Sequence, residues 1–556
     1  MTAPEPRGGW RELAVVVAGF CALTAFLLSP LALNLGSVAR LDNADAQLLI
    51  WNVAWVARTA VVDPLHVFDA NIFHPHRWTL AYSESNLGAG LLAIPVYWAT
   101  RNAYAAHNFV TLASFVLSGT ATYYLVRRLA RDRRAAAIAG TCFAFTPYVF
   151  SHLPHIHLLM TAGLPLGMLA FHRLADRPSA ARGAALGAVL AAQAVFCGYY
   201  TVFAGLMVGF AVLAVAVMER RFTDARYWMS LGVAAAVAVA IALPLFFPYI
   251  RLQRATGFAR PLDEARQWSA DWRSYLASSA FAHRWMLPWI GSWREVLFPG
   301  FVALVSGVGG FVVGWAAGGR LRRAAILYGG LAVLAGWASF GAAGGLYSML
   351  YSIVPAFTLM RAASRFGLIV AFALCVLSGL FTAALLARLD RRAGRRAARG
   401  WAAAAIISAA AVAELTTPLA FSRVPPVEMA YRVLATLPRG PVIELPFYSH
   451  RFAADRVQYM LNSTAHWMPL VNGYSSHTPK DFVEKTPVLG GFPSRESFRV
   501  LEPDGVRYAV FHLDRFAPLA RHDLLARLET FERYLVRHYA DDRILLYEVV
   551  EYPDGR

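Results

Sequence analysis

Runs of about 20 mostly apolar residues, the length that crosses a hydrocarbon core, recur along the chain between short polar turns. They predict spans near 13–34, 105–126, 135–150, 157–172, 183–200, 201–218, 228–249, 298–318, 324–340, 367–387 and 401–420. That makes about eleven transmembrane helices. The run 87–98 is apolar but short, contains Pro95 and ends just before Arg101, which suits a re-entrant or interfacial helix rather than a span. After the last span the pattern changes. Short β-type runs at 442–445, 507–511 and 544–550 appear, and a helix opened by Pro518 carries Leu524, Leu528, Phe531 and Leu535 on one face. The predicted fold is a polytopic all-α membrane domain over residues 1–420, with a first outer loop at 36–104, followed by an α/β domain over 421–556.

Composition supports the membrane reading, since 58% of the 556 residues are hydrophobic and only 15% charged, against about 25% charged in soluble proteins. The net charge of +18 comes almost wholly from arginine, because the only lysines are Lys480 and Lys485. In a membrane protein arginine placement reports topology rather than nucleic acid, so no nucleic-acid partner is expected. With Arg7 and Arg11 inside, each predicted inner loop is basic, from Arg127, Arg128, Arg131, Arg133 and Arg134 to the Arg388–Arg399 turn. The N-terminus is therefore expected in the cytoplasm and the tail domain outside it, in a multi-pass protein of the inner (plasma) membrane. The four cysteines, Cys21, Cys142, Cys197 and Cys375, all lie in apolar runs, so they cannot staple an exported domain.

The candidate chemistry concentrates in the outer regions. Asp42 and Asp45 follow the first span, where a carboxylate can stay ionised and act as general base. The same residues also fit a helix cap, Asn43 or Asp45, on an interfacial helix carrying Trp51 and Trp55. Glu84 is a further acid, before the re-entrant run. Outward arginines run against the topology bias: Arg254 and Arg260 in the loop 251–296, and Arg361 and Arg365 before the tenth span. Their forked guanidinium groups fit a lipid phosphate, and equally fit headgroups or nearby acids. His152, His155 and His157 have a spacing unusual for metal ligands and better suited to hydrogen bonding. Tyr199 and Tyr200 read mainly as interfacial aromatics. Glu414 is ionisable inside the last span, a candidate by default unless a short reach satisfies it. In the tail, Trp467, Asn472 and Tyr474 offer ring faces and donors suited to a glycan, although an Asn-Gly turn at Asn472-Gly473 explains them without a ligand.

The acid-bearing stretch Leu41-Asp42-Asn43-Ala44-Asp45, the short apolar helix 87–98, and the order of 108–128 and 135–147 around a basic turn together resemble the GT-C class of integral-membrane glycosyltransferases. In layout they are similar to its protein mannosyltransferase-like members. The resemblance covers residues 1–420. It implies a polyprenyl-phosphate sugar as donor and an acid of the first outer loop as base, Asp45 matching best and Asp42 second. The adjacent Asp-Glu pair of the protein mannosyltransferases is absent. The expected activity is sugar transfer on the outer face to an envelope glycan, lipid or protein, with membrane lipid as surroundings. Arg361, Arg365, Arg254 and Arg260 are expected at the donor phosphate, and His155, Glu84, Trp467, Asn472 and Tyr474 at the acceptor or sugar. No cofactor or bound metal is expected, and a divalent metal stays open. The competing expectation is a transporter or flippase of lipid-linked glycans, which would carry ionisable groups along its spans.

Overall fold

The computed structural model describes residues 9–257, 259–392, 398–449 and 452–553. The chain forms two compact units, one from Met1–Leu33 with Val110–Ala420, the other from Asn34–Phe109 with Phe421–Arg556. The predicted first loop and the predicted tail, far apart in sequence, thus fold as one body.

Helices occupy every position at which a span is predicted: Trp10–Leu27, Ala103–Ala130, Arg133–Ala144, Gly163–Asp176, Ala180–Phe196, Gly198–Met218, Ala225–Thr256, Phe301–Ala317, Gly319–Ser339, Gly367–Arg392 and Ala398–Leu415. Among the described residues, seven helical stretches are long and apolar enough to cross a membrane, fewer than the eleven expected crossings. The others are short, or, in Gly319–Ser339, carry arginines in the opening turns. The expected span 135–150 breaks after Ala144, and a separate turn runs over Pro147–Ser151. Pro147 disfavours helical backbone in Thr146 before it and then opens the next turn. Close packing in this unit depends on small residues: a Cβ at Gly310 would lie 1.9 Å from the Leu377 carbonyl oxygen, so glycine is what lets the Phe301–Ala317 and Gly367–Arg392 helices approach.

The second unit begins with a two-residue antiparallel pair, β1 (Val38–Ala39) against β2 (Ser422–Arg423). Its main sheet takes β3 (Val442–Leu445), β4 (Tyr508–His512), β5 (Leu535–Ala540) and β6 (Ile544–Val549) in the order β3-β4-β6-β5. β3 and β4 are parallel and the other pairs antiparallel. The predicted Pro518 helix ends at Thr530. Leu524 and Leu528 are buried as the pattern requires, but Leu535 opens β5 instead of extending the helix. Val536 and Tyr539 favour the strand, and pairing with β6 outweighs the helical spacing.

The first loop contributes the Ala44–Val62 helix, buried on nearly all sides from Ala46 to Ala57. Trp51 and Trp55 are 1% and 5% exposed, so the helix is internal, not interfacial as expected. Its indoles are satisfied within the unit: Trp51 donates to Asn71 at 3.2 Å and Trp55 to the Val67 carbonyl at 2.9 Å. The short apolar run forms the Leu87–Thr100 helix with Pro95 inside it.

Candidate functional site

Asn43 caps the Ala44–Val62 helix, its side-chain oxygen accepting from the N–H groups of Asp45 at 2.8 Å and Ala46 at 3.2 Å. That frees the Asp45 carboxylate from capping and sets it in the first helical turn, where the helix dipole favours a negative charge. The Tyr474 hydroxyl donates to Asp45 Oδ1 at 3.0 Å. Asp42 is different: Arg40 grips it through Nε and Nη2 at 2.9 and 3.1 Å, and its side chain is 53% exposed.

The tail residues expected near the acceptor divide in the same unit. Asn472 is buried, its side chain bonded to the Glu444 N–H at 2.7 Å and carbonyl at 2.9 Å. Trp467 is buried too, donating to the Tyr97 hydroxyl at 3.1 Å beside the Trp55 ring at 5.7 Å. His466 is half-buried, and its desolvation pushes its pKa down to about 3, so it stays neutral. No Asn-Gly turn forms. Gly473 lies flat against Phe73 instead, where a Cβ would meet the ring at 2.8 Å. Phe73 itself has φ of 55°, a left-handed backbone rare for an aromatic residue and of a kind that clusters at functional sites. The Glu84 carbonyl accepts from Asn52 at 3.3 Å and Asn86 at 2.8 Å. His74 bonds the Asp504 carbonyl at 2.9 Å and His76 the Asp481 carboxylate at 3.0 Å.

The other unit gathers a second polar cluster around the turns 145–162. His152, His155 and His157 lie ring to ring at 6.0 Å spacings. His152 also bonds the Tyr148 carbonyl at 2.8 Å and faces Glu295 at 3.6 Å. Burial works against ionising Glu295, but His152 and the Val296 N–H outweigh it and hold the carboxyl below the usual glutamate range. Tyr200 is fully buried and donates to the Leu158 carbonyl at 2.9 Å, so it is a core residue and not the interfacial aromatic expected. Tyr199 accepts from the Arg361 N–H at 2.7 Å, and the Arg365 guanidinium lies over its ring at 4.3 Å.

The remaining arginines expected at the donor phosphate are more ordinary. Arg361 lies 3.6 Å from Glu264 and over the Trp268 ring. Arg260 pairs with the same Glu264 at 2.7 Å. Arg254 is exposed in the last turn of the Ala225–Thr256 helix. Glu414 is satisfied locally, by His283 at 2.9 Å and by the N–H groups of Phe301 and Val302. Among the described residues, no group of three or more His, Cys, Asp or Glu stands together as a metal site would need. Sequence reading took Glu295 only as an acid set against the arginines of the loop 251–296, and passed over Arg456. The one signal for Arg456 was its place one turn before Met460 on a short amphipathic helix.

No protein-family model matches the chain, and no curated protein matches it. Solved structures resemble it in fold. The mycobacterial arabinofuranosyltransferase AftD aligns with 98% of this chain at 15% identity and a TM-score of 0.55, and this chain spans 42% of AftD's length. ArnT from Cupriavidus metallidurans aligns with 97% of this chain and 98% of its own, at 13% identity and a TM-score of 0.48. The oligosaccharyltransferase AglB from Archaeoglobus fulgidus, solved with an inhibitory peptide and a dolichol-phosphate, aligns with 98% of this chain and 75% of its own, at 14% identity and a TM-score of 0.45. All three are GT-C glycosyltransferases, and AftD alone among them passes a TM-score of 0.5. The chain has the fold of a GT-C membrane glycosyltransferase, as its sequence layout led us to expect.

Proposed function

We propose that this protein transfers a sugar from a polyprenyl-phosphate-linked donor to an envelope acceptor on the outer face of the plasma membrane. The observation that supports the reading is Asp45, a carboxylate in the first turn of a buried helix, positioned by the Tyr474 hydroxyl at 3.0 Å. In the proposed step Asp45 takes the proton of an acceptor hydroxyl as that oxygen bonds to the anomeric carbon, and the bond from that carbon to the phosphate oxygen breaks. The polyprenyl phosphate leaves with the electron pair. Of the arginines expected at a donor phosphate, Arg365, whose guanidinium lies over a tyrosine ring, is the better suited to meet an anion. Asp42 and Arg361 take the lesser roles because carboxylate–guanidinium contacts already occupy them.

The test is transfer from a panel of radiolabelled polyprenyl-phosphate sugars to an envelope extract by purified protein in lipid. Asp45→Asn is expected to lower the rate by about 100-fold or more, the scale of a lost general base, with Asp42→Asn near wild type. Equal activity in wild type and Asp45→Asn would remove the base assignment. No transfer from any donor by wild type would favour the flippase reading.

A further inference from the structure

Arg456 stands in the Ala453–Asn462 helix of the second unit and is 2% exposed. Its Nε and Nη2 are buried and meet no acceptor among the described residues. A buried guanidinium without a counter-charge costs several kcal/mol, so its retention calls for a physical reason. Two aromatic rings hold it. Phe482 lies 4.8 Å and Phe73 5.9 Å from its central carbon, and the two rings meet edge to face at 5.1 Å. Burial pulls its pKa down to about 10, so it stays charged at neutral pH.

The atoms left over define what fits. The rings carry no acceptor oxygen, so what pairs with Nε and Nη2 has to bring its own. Nε and Nη2 form one edge of the fork, the edge that fits two oxygens of one anion. This chain uses that same edge on the two oxygens of a carboxylate elsewhere, from Arg40 to Asp42, from Arg133 to Glu12 and from Arg134 to Asp132. In Arg456 the edge is buried beside the Asp45 partner: Arg456 is one turn before Met460, whose sulfur accepts the Tyr474 N–H at 3.1 Å, and the Tyr474 hydroxyl holds Asp45. The left-handed backbone of Phe73 and the bare Cα of Gly473 keep the ring in this place.

We propose that Arg456 is an oxyanion subsite, taking a carboxylate or phosphate carried by the acceptor next to the hydroxyl that is glycosylated. Its assignment to the acceptor rests on Asp45 being the base. The anion enters in the plane of the guanidinium, accepts from Nε and Nη2 together, and supplies the missing counter-charge. A neutral acceptor leaves Arg456 unpaired, so the subsite selects acidic acceptors.

The experiment uses the full chain in lipid nanodiscs, free of phosphate buffer, titrated by calorimetry with glucuronate, glucose, inorganic phosphate and a polyprenyl phosphate. Wild type is expected to bind glucuronate and inorganic phosphate at least tenfold more tightly than Arg456→Met, with no difference for glucose. Arg456→Lys, which keeps the charge and loses the fork, is expected to fall between. Arg456→Met should also melt at a higher temperature than wild type, because it removes a buried unpaired charge; a purely structural arginine would lower the melting point instead. Asp45→Asn should keep full anion affinity, so loss of the base assignment and loss of the subsite are read separately. Equal anion affinity in wild type and Arg456→Met, or no anion binding by wild type, overturns the proposal. Weakening confined to the polyprenyl phosphate overturns its assignment to the acceptor.

Discussion

The stretch Arg40–Ala46 in one unit and Arg361–Phe366 in the other each carry two like charges about one helical turn apart, treated in opposite ways. In the first, Asp42 is gripped by Arg40 while Asp45 rests on a tyrosine hydroxyl. In the second, Arg361 sits by Glu264 while Arg365 rests on a tyrosine ring. An ion pair at the surface neutralises its members and contributes about 0–1 kcal/mol. The ring under Arg365 positions a cation without neutralising it. Arg456, packed against two phenylalanine rings, extends the pattern.

The comparison is sharpest at the arginines. Arg365→Gln is expected to lower kcat/KM for the donor about 100-fold, the scale of a lost oxyanion donor, whereas Arg361→Gln stays within about threefold, as for an exposed ion pair. Equal losses would break the comparison. Tyr474→Phe tests the other half: losing a hydrogen bond to a charged group should slow transfer about tenfold, with the fold checked by circular dichroism. Asn43→Ala removes the cap beneath Asp45 and should lower stability by about 1 kcal/mol in denaturant unfolding, with a smaller effect on rate. Smallest is a pH effect at Glu295, seen only in acid. Its folded pKa is depressed below the ordinary 4.5, so its contribution is present above that value and lost as pH falls through the lower folded value. The melting temperature of Glu295→Gln should therefore vary less below pH 4.5 than that of wild type.

Sequence pattern alone placed the helices and the change of character after residue 420, because hydrophobic period and span length are local signals. It missed β5, where strand pairing overrode a helical spacing through Leu535. It also gave the tryptophans of the first loop a membrane interface, although the tail buries them, with Trp55 beside Trp467. What distinguishes Asp45 from Asp42 is a partner 429 residues away, which no local period encodes. Tyr474 was legible as a possible sugar contact, but not as the residue that holds Asp45. Arg456 reads as an ordinary helical cation until the fold surrounds it with Phe73 and Phe482.

The pairing of β1 with β2 joins residues made early to residues made late. Roughly 300 residues separate the two halves of this unit, and at about 5–20 residues per second their synthesis takes tens of seconds. During that interval Asp45 exists without Tyr474, and Trp55 without Trp467. The proposed base is thus assembled last: a chain stalled or cut before residue 421 presents the acid of the first loop without the hydroxyl that positions it, so competence to react arrives only with the tail.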